Sequence, residues 1–206
     1  MYEQCDIISI HTPLTKEGEH KTYHLADRRF FENLRRTPFF INAARGGVND
    51  TEALKSAVEK GQIRAAIVDC WEGEPVIDAE LLELTEIPTP HIAGFSYDGK
   101  ANGTRMVIDA VKEFFNIDLP EHPIALPAPK SPVIDLSSLP RERRMEYAVL
   151  HTLDTERVAR ALKLSPQAFE ALRVQYENPR EFSAYTVLGA AAEERSLLQA
   201  LGFNLK

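Results

Sequence analysis

Short runs of β-branched and aromatic residues alternate with stretches of helical spacing through the first half of the sequence, and this alternation most narrows the choice of fold. Residues 6–10, holding Ile7, Ile8 and Ile10, read as a strand covered on both faces that begins in mid-sheet. Phe39, Phe40, Ile41 and Asn42 form a second run, residues 63–68 a third, and Ile87 opens a fourth. Between them lie a helical stretch around Asp27 to Leu34 and a helix that Asp50 caps, with Ala53, Leu54, Ala57 and Val58 as its buried stripe and Gly61 at its end. Leu81 to Leu84 reads as a short helix. Strands joined through helices by short connections form a parallel sheet, because parallel neighbours need crossovers. The expected class is therefore α/β, a partial doubly wound, Rossmann-like parallel sheet.

A long helix is expected from about Asp98 to Phe115, with Met106, Val107, Ala110, Val111 and Phe114 on one side. Pro120, Pro123, Pro127, Pro129 and Pro132 then break regular structure, with Pro140 just beyond. The expected organisation is a nucleotide-binding domain over 1–117, a Pro-rich linker over 118–132 and a small α+β domain over 133–206. In the last, Val133 to Leu136 and Ala184 to Leu188 read as strands. Arg143 to Leu150, Asp154 to Leu162, Pro166 to Tyr176 and Ala191 to Leu201 read as helices, the last closed by Gly202.

Several function classes drop out on composition. A net charge of −7 without any Lys/Arg block leaves no electrostatic grip for nucleic acid or an anionic membrane. No apolar run approaches the length of about 18 residues that spans a bilayer, and Met1 to Ile10 lacks the pattern of a signal peptide. With only Cys5 and Cys70, both in apolar surroundings, a cytoplasmic protein is expected. His20 and His24 have the spacing of a zinc pair but lack a following Glu and any Cys cluster, so no metal is expected and the pair reads as a solvent-facing loop. Gly94 to Asp98 lacks the second glycine of a nucleophile elbow. Arg141, Arg143 and Arg144 read as a solvated helix face, and the Phe114-Phe115 and Leu197-Leu198 pairs as core or dimer contacts.

In open α/β sheets ligands bind beyond the carboxyl ends of the strands. Three of those ends carry Arg45, Glu74 and His91. A guanidinium holds a carboxylate through two parallel hydrogen bonds, a His takes a hydroxyl proton, and a carboxylate orients the imidazole. Oxidation of a 2-hydroxy acid needs such a set. Taken singly, Arg45 also fits a surface ion pair, Glu74 a solvated loop acid, His91 a turn after Pro90, and Asp69 a capping residue.

The segments 10–15, 41–46, 69–75 and 89–94, containing His11-Thr12-Pro13, Asn42-Ala43-Ala44-Arg45-Gly46, Trp71-Glu72-Gly73-Glu74-Pro75 and Pro90-His91-Ile92-Ala93-Gly94, come in the order of the D-2-hydroxyacid dehydrogenases, which the chain resembles. The resemblance implies Arg45 as carboxylate anchor, Glu74 as orienting acid and His91 as the catalytic base or acid. It implies NAD as cofactor, with Thr12, Ala43, Ala44, Arg45, Asp69 and Gly94 along the nicotinamide half and Asp69 accepting from the carboxamide. Arg45 and Phe95 would meet the substrate; Phe95 stands where a Tyr is usual, and Cys70 where a Val is usual.

Residues 71–75, 99–104 and the tail are similar to those of family members that oxidise 4-phospho-D-erythronate to 2-oxo-3-hydroxy-4-phosphobutanoate. A small phosphorylated 2-hydroxy acid is thus the expected partner, with homodimerisation through 133–206. The alternatives are a phosphoglycerate-oxidising member or a non-catalytic dimerisation or cofactor-sensing module. No Gly-x-Gly-x-x-Gly occurs in the chain. The chain is expected to be the C-terminal half of such an enzyme, inactive by itself.

Overall fold

The computed structural model describes residues 4–120 and 123–206; residues 1–3 of the expected first domain and 121–122 of the expected linker lie outside them. In chain order come β1 (Ile7–Ile10), α1 (Arg28–Glu32), β2 (Phe39–Asn42), α2 (Thr51–Glu59), β3 (Ala65–Val68), α3 (Ala79–Leu84) and β4 (Ile87–Pro88). They are followed by α4 (Tyr97–Phe115), β5 (Val133–Asp135), α5 (Arg141–Thr152), α6 (Thr155–Leu164), α7 (Phe169–Val174), β6 (Thr186–Leu188), α8 (Ala192–Leu201) and β7 (Asn204–Leu205). The chain divides into two compact units, residues 1–93 with 155–176 and residues 94–154 with 177–206.

The first unit is the expected parallel sheet, in the order β1-β2-β3-β4. Its register sets Ile8 beside Phe40 and Phe40 beside Ala66, and every strand runs the same way. All four carboxyl ends therefore share one edge. Three connecting helices start at an aspartate whose side chain accepts a backbone N–H three residues on: Asp27 from Phe30, Asp50 from Ala53 and Asp78 from Leu81. Each such cap contributes about 1 kcal/mol. β1 departs from expectation: it is an edge strand among the described residues, with Ile8 and Ile10 buried and Ile7 60% exposed, so only one face is covered.

The stretch 133–206 also differs from the single C-terminal domain expected. Its helices α6 and α7 pack into the first unit, where Leu162 and Phe169 join the core of Phe31, Phe40, Leu54 and Trp71. Burying each of those two side chains contributes about 2 to 3 kcal/mol. An amphipathic pattern says that a face is buried; it does not say against what.

The second unit has its own parallel sheet, β5-β6-β7, with Ile134, Leu136, Ala148, Tyr185, Val187, Leu198 and Phe203 as its core. Gly202 closes α8 at φ +100, as expected of a left-handed helix end. Ser96 caps α4 through the Gly99 N–H. Behind that cap Asp98 accepts from Arg180 Nε at 2.8 Å and Nη2 at 3.0 Å and from the Glu181 N–H at 2.9 Å. The apolar side of α4 is open, with Met106 72% and Phe114 82% exposed, so Phe114 does not belong to the core, one of the two readings given to the Phe114-Phe115 pair. Among the described residues no helix is long and apolar enough to cross a membrane.

Candidate active site

Thr12 follows the carboxyl end of β1, Arg45 that of β2, Asp69 and Glu74 that of β3, and His91 that of β4, all in the first sheet. Asn42 organises the segment after β2. Fully buried, it donates through Nδ2 to the Arg45 carbonyl at 3.0 Å and to Asn49 Oδ1 at 2.5 Å, while its Oδ1 accepts the Ala44 N–H at 3.0 Å. This holds Ala43 and the buried Ala44 in a tight turn and leaves the Arg45 side chain exposed, donating to the Ala44 carbonyl at 2.6 Å. At Gly46 a Cβ would collide with the backbone of Trp71 and Glu72, so only glycine lets the two strand-end segments approach this closely.

The loop after β3 presents Glu74. Trp71, 2% exposed, anchors the loop by donating its indole N–H to the Thr89 carbonyl at 2.9 Å. Glu74 Oε2 accepts the Trp71 N–H at 3.1 Å, and Oε1 lies 2.6 Å from His91 Nδ1. With the Nδ1 proton donated to Glu74, the outer nitrogen Nε2 is left to exchange a proton with a hydroxyl. His91 itself sits at φ +54, a left-handed conformation uncommon for a residue with a Cβ. Its N–H donates to the Asp69 carbonyl at 2.8 Å and its carbonyl accepts from Arg173 Nε at 3.3 Å, so the strained turn is held at both ends.

Asp69 spends its carboxylate on that same turn. Oδ1 accepts from the Thr89 hydroxyl at 2.7 Å and the Ile92 N–H at 2.8 Å, and Oδ2 from the Ala93 N–H at 3.1 Å. The Cys70 thiol donates to Oδ2 as well, at 3.7 Å, so about four bonds fill the carboxylate and the capping alternative is what the geometry displays. Burial, with the carboxylates of Asp69 and Glu74, pushes the neighbouring Cys70 thiol up to about 12, against the opposing pull of Arg45. That thiol stays protonated. Thr12 Oγ1 is buried and has no hydrogen-bond partner among the described residues. An orphaned hydroxyl at a strand end suits a ligand amide.

Gly94, at φ +79, and Phe95 belong to the second unit, where the Lys100 ammonium lies 4.6 Å from the Phe95 ring centre. His24, read from sequence as solvent-facing, is instead half-buried and bonded to Glu72 at 2.8 Å. Sequence reasoning also missed Asn42 as an organiser, Arg173 behind His91, and Tyr176, whose hydroxyl is pushed up by burial and by Asp69 against Arg157. No local spacing points to Arg173 or Tyr176, which stand far along the chain from the strands they serve. Among the described residues no group of three or more His, Cys, Asp or Glu gathers to hold a metal ion.

Residues 1–93 match the family described as D-isomer specific 2-hydroxyacid dehydrogenase, NAD binding domain. Over 205 residues the chain is 50% identical to erythronate-4-phosphate dehydrogenase of Porphyromonas gingivalis, a match covering 98% of this chain and 55% of that protein. The enzyme of that name from Bacteroides thetaiotaomicron is 46% identical over 187 residues, covering 91% of this chain and 52% of its own. The chain thus spans about half the length of the curated relatives it matches. Among solved structures, D-lactate dehydrogenase from Aquifex aeolicus, complexed with NAD and lactic acid, is 30% identical at a TM-score of 0.43, over 54% of this chain and 37% of that one.

Proposed function

Residues 1–93 belong to the NAD-binding domain family of the D-isomer specific 2-hydroxyacid dehydrogenases, and on that premise we propose that this protein carries the catalytic residues of an enzyme oxidising 4-phosphoerythronate at C2. The observation that supports it most is the Glu74–His91 pair at 2.6 Å, set on the same sheet edge as Arg45.

Arg45 grips the substrate carboxylate with parallel N–H donors, releasing the Ala44 carbonyl to do so. That fixes C2 and its hydroxyl. His91 Nε2 takes the hydroxyl proton while Nδ1–H stays on Glu74, so the positive imidazole faces a carboxylate as it forms. The electron pair of the O–H bond becomes the second bond of the C2 carbonyl, and the C2 hydrogen departs as hydride. NAD, when bound, supplies the hydride acceptor. Thr12 Oγ1 and the Ala43-Ala44 turn would hold its nicotinamide end, with Asp69 Oδ2 accepting from the carboxamide in place of the weak bond from the Cys70 thiol. The product is 2-oxo-3-hydroxy-4-phosphobutanoate.

The protein works in the cytoplasm as a homodimer. Support for pairing comes from apolar side chains left at the surface of α8, Leu197 at 57% and Leu201 at 41% exposed. Absorbance of the reduced cofactor, followed in the complete protein, tests the activity. Turnover with 4-phosphoerythronate is expected to exceed that with 3-phosphoglycerate, and His91→Asn to lower kcat by about 10²- to 10⁴-fold. A His91→Asn variant as active as the parent would refute the assignment.

A further inference from the structure

Glu72, two residues before Glu74, points away from His91 into a polar cluster of its own. Its Oε1 accepts from His24 Nε2 at 2.8 Å and from the Tyr23 hydroxyl at 3.3 Å; its Oε2 accepts from the Thr51 hydroxyl at 2.9 Å. Asp50 Oδ2 faces the other ring nitrogen of His24 at 3.6 Å, and the Tyr23 and His24 rings stack at 3.9 Å. His24 holds φ +54, a conformation it adopts with its N–H on the Gly47 carbonyl at 2.8 Å. Burial alone would raise the Glu72 carboxyl, yet the His24 and Thr51 bonds outweigh it and hold the group below its ordinary value. Three donors from two different segments thus converge on one carboxylate, which is more than a solvated loop acid needs.

The loop explains why. Between Glu72 and Glu74 stands Gly73 at φ +82, a residue with no Cβ to restrict rotation. The Trp71 N–H to Glu74 Oε2 bond spans that pivot, and without a second hold it is, among the described residues, the one tie that keeps the carboxylate from swinging off the imidazole. Trp71 and the close approach at Gly46 hold the backbone; the side chain of Glu72 ties it to the start of α2 and to the 15–26 segment.

We propose that Glu72 is a positioning residue, clamped by His24, Tyr23 and Thr51 so that Glu74 stays aligned on His91. This rests on the dehydrogenase reading for the role of the pair, but its test does not use activity. In the 206-residue chain, the His91 ring proton facing Glu74 at 2.6 Å is expected to give a downfield NMR signal, assigned by its loss in Glu74→Ala. In Glu72→Ala that proton is expected to exchange with water at least about tenfold faster, while the Trp71 indole N–H keeps its shift and its protection. Glu72→Gln, retaining one acceptor for the Thr51 hydroxyl, is expected to show a smaller acceleration. Thr51→Val, which removes one donor and spares the loop, gives a second reading if Glu72→Ala does not fold.

Exchange unchanged in the folded variants would overturn the proposal. So would equal loss of protection at Trp71, since Glu72 would then support the whole unit rather than the pair. Absence of the signal from the parent chain would remove the Glu74–His91 pair itself, and with it the dehydrogenase reading. The first two results leave that reading standing.

Discussion

With its side chain wholly enclosed, Asn42 has no water to fall back on if its partners are lost. Asn42→Leu would leave the Ala44 N–H and Asn49 Oδ1 without these bonds in a buried turn, and the Arg45 carbonyl with only the Val48 N–H. The expected cost is about 2 to 4 kcal/mol in urea denaturation, several times that of an exposed polar substitution. A loss below about 0.5 kcal/mol would mean that the turn stands without it. Arg45, Glu74 and His91 were legible in the sequence because each follows a recognisable strand, and strand ends of a parallel sheet converge. Asn42 was visible only as the polar stop of a run, and Glu72 only as one more acid in an acidic loop. Their partners, His24 and Asn49, come from segments whose approach is a product of the fold, and no periodicity announces it.

At the scale of the element, α4 depends on a single buried ion pair at its first turn. Arg180 and the Glu181 N–H, bonded to Asp98, hold its carboxyl below the ordinary aspartate range, the Arg180 hydrogen bonds being the largest cause. A folded-state value below the unfolded value of about 3.9 means that the pair stabilises fully above that pH and fades as pH falls through the lower folded value. The second unit should therefore weaken in acid, and Asp98→Asn should remove that part of the pH dependence. Denaturation of both proteins at pH 7 and pH 3, followed by amide exchange in 177–206, checks this. A parent and variant with identical pH slopes would show that Asp98 is not the group responsible. Helix starts were the most legible elements, since Asp50 caps α2 as its chemistry demands and Gly202 ends α8. The fourth strand was legible at Ile87, where β4 begins, but the two-residue β7 was not, because a pair that short carries no alternation and is a strand only by virtue of a neighbour. The stripe on α4 was legible as apolar, and of the two readings given to Phe114-Phe115, core or dimer contact, their exposure sets aside the first.

For the whole molecule, the proposed function draws on residues that would meet the substrate and the nicotinamide, while the sequence holds no Gly-x-Gly-x-x-Gly cradle for a pyrophosphate. Nicotinamide mononucleotide and NAD are therefore expected to bind the 206-residue chain within about threefold of one another in calorimetric titration, a difference of under about 1 kcal/mol. NAD binding about thirtyfold tighter or more would reveal a phosphate site made from other residues of this chain. The first unit is also discontinuous: its sheet is finished by Ala93, yet Leu162 and Phe169 must return from 155–176 to close its core. A ribosome adding about 5 to 20 residues per second takes roughly 4 to 16 s to make the chain between Ala93 and Tyr176. Through that interval the nascent sheet waits with an apolar flank uncovered, so the edge carrying Arg45, Glu74 and His91 is drawn up first and secured only when residues 155–176 arrive.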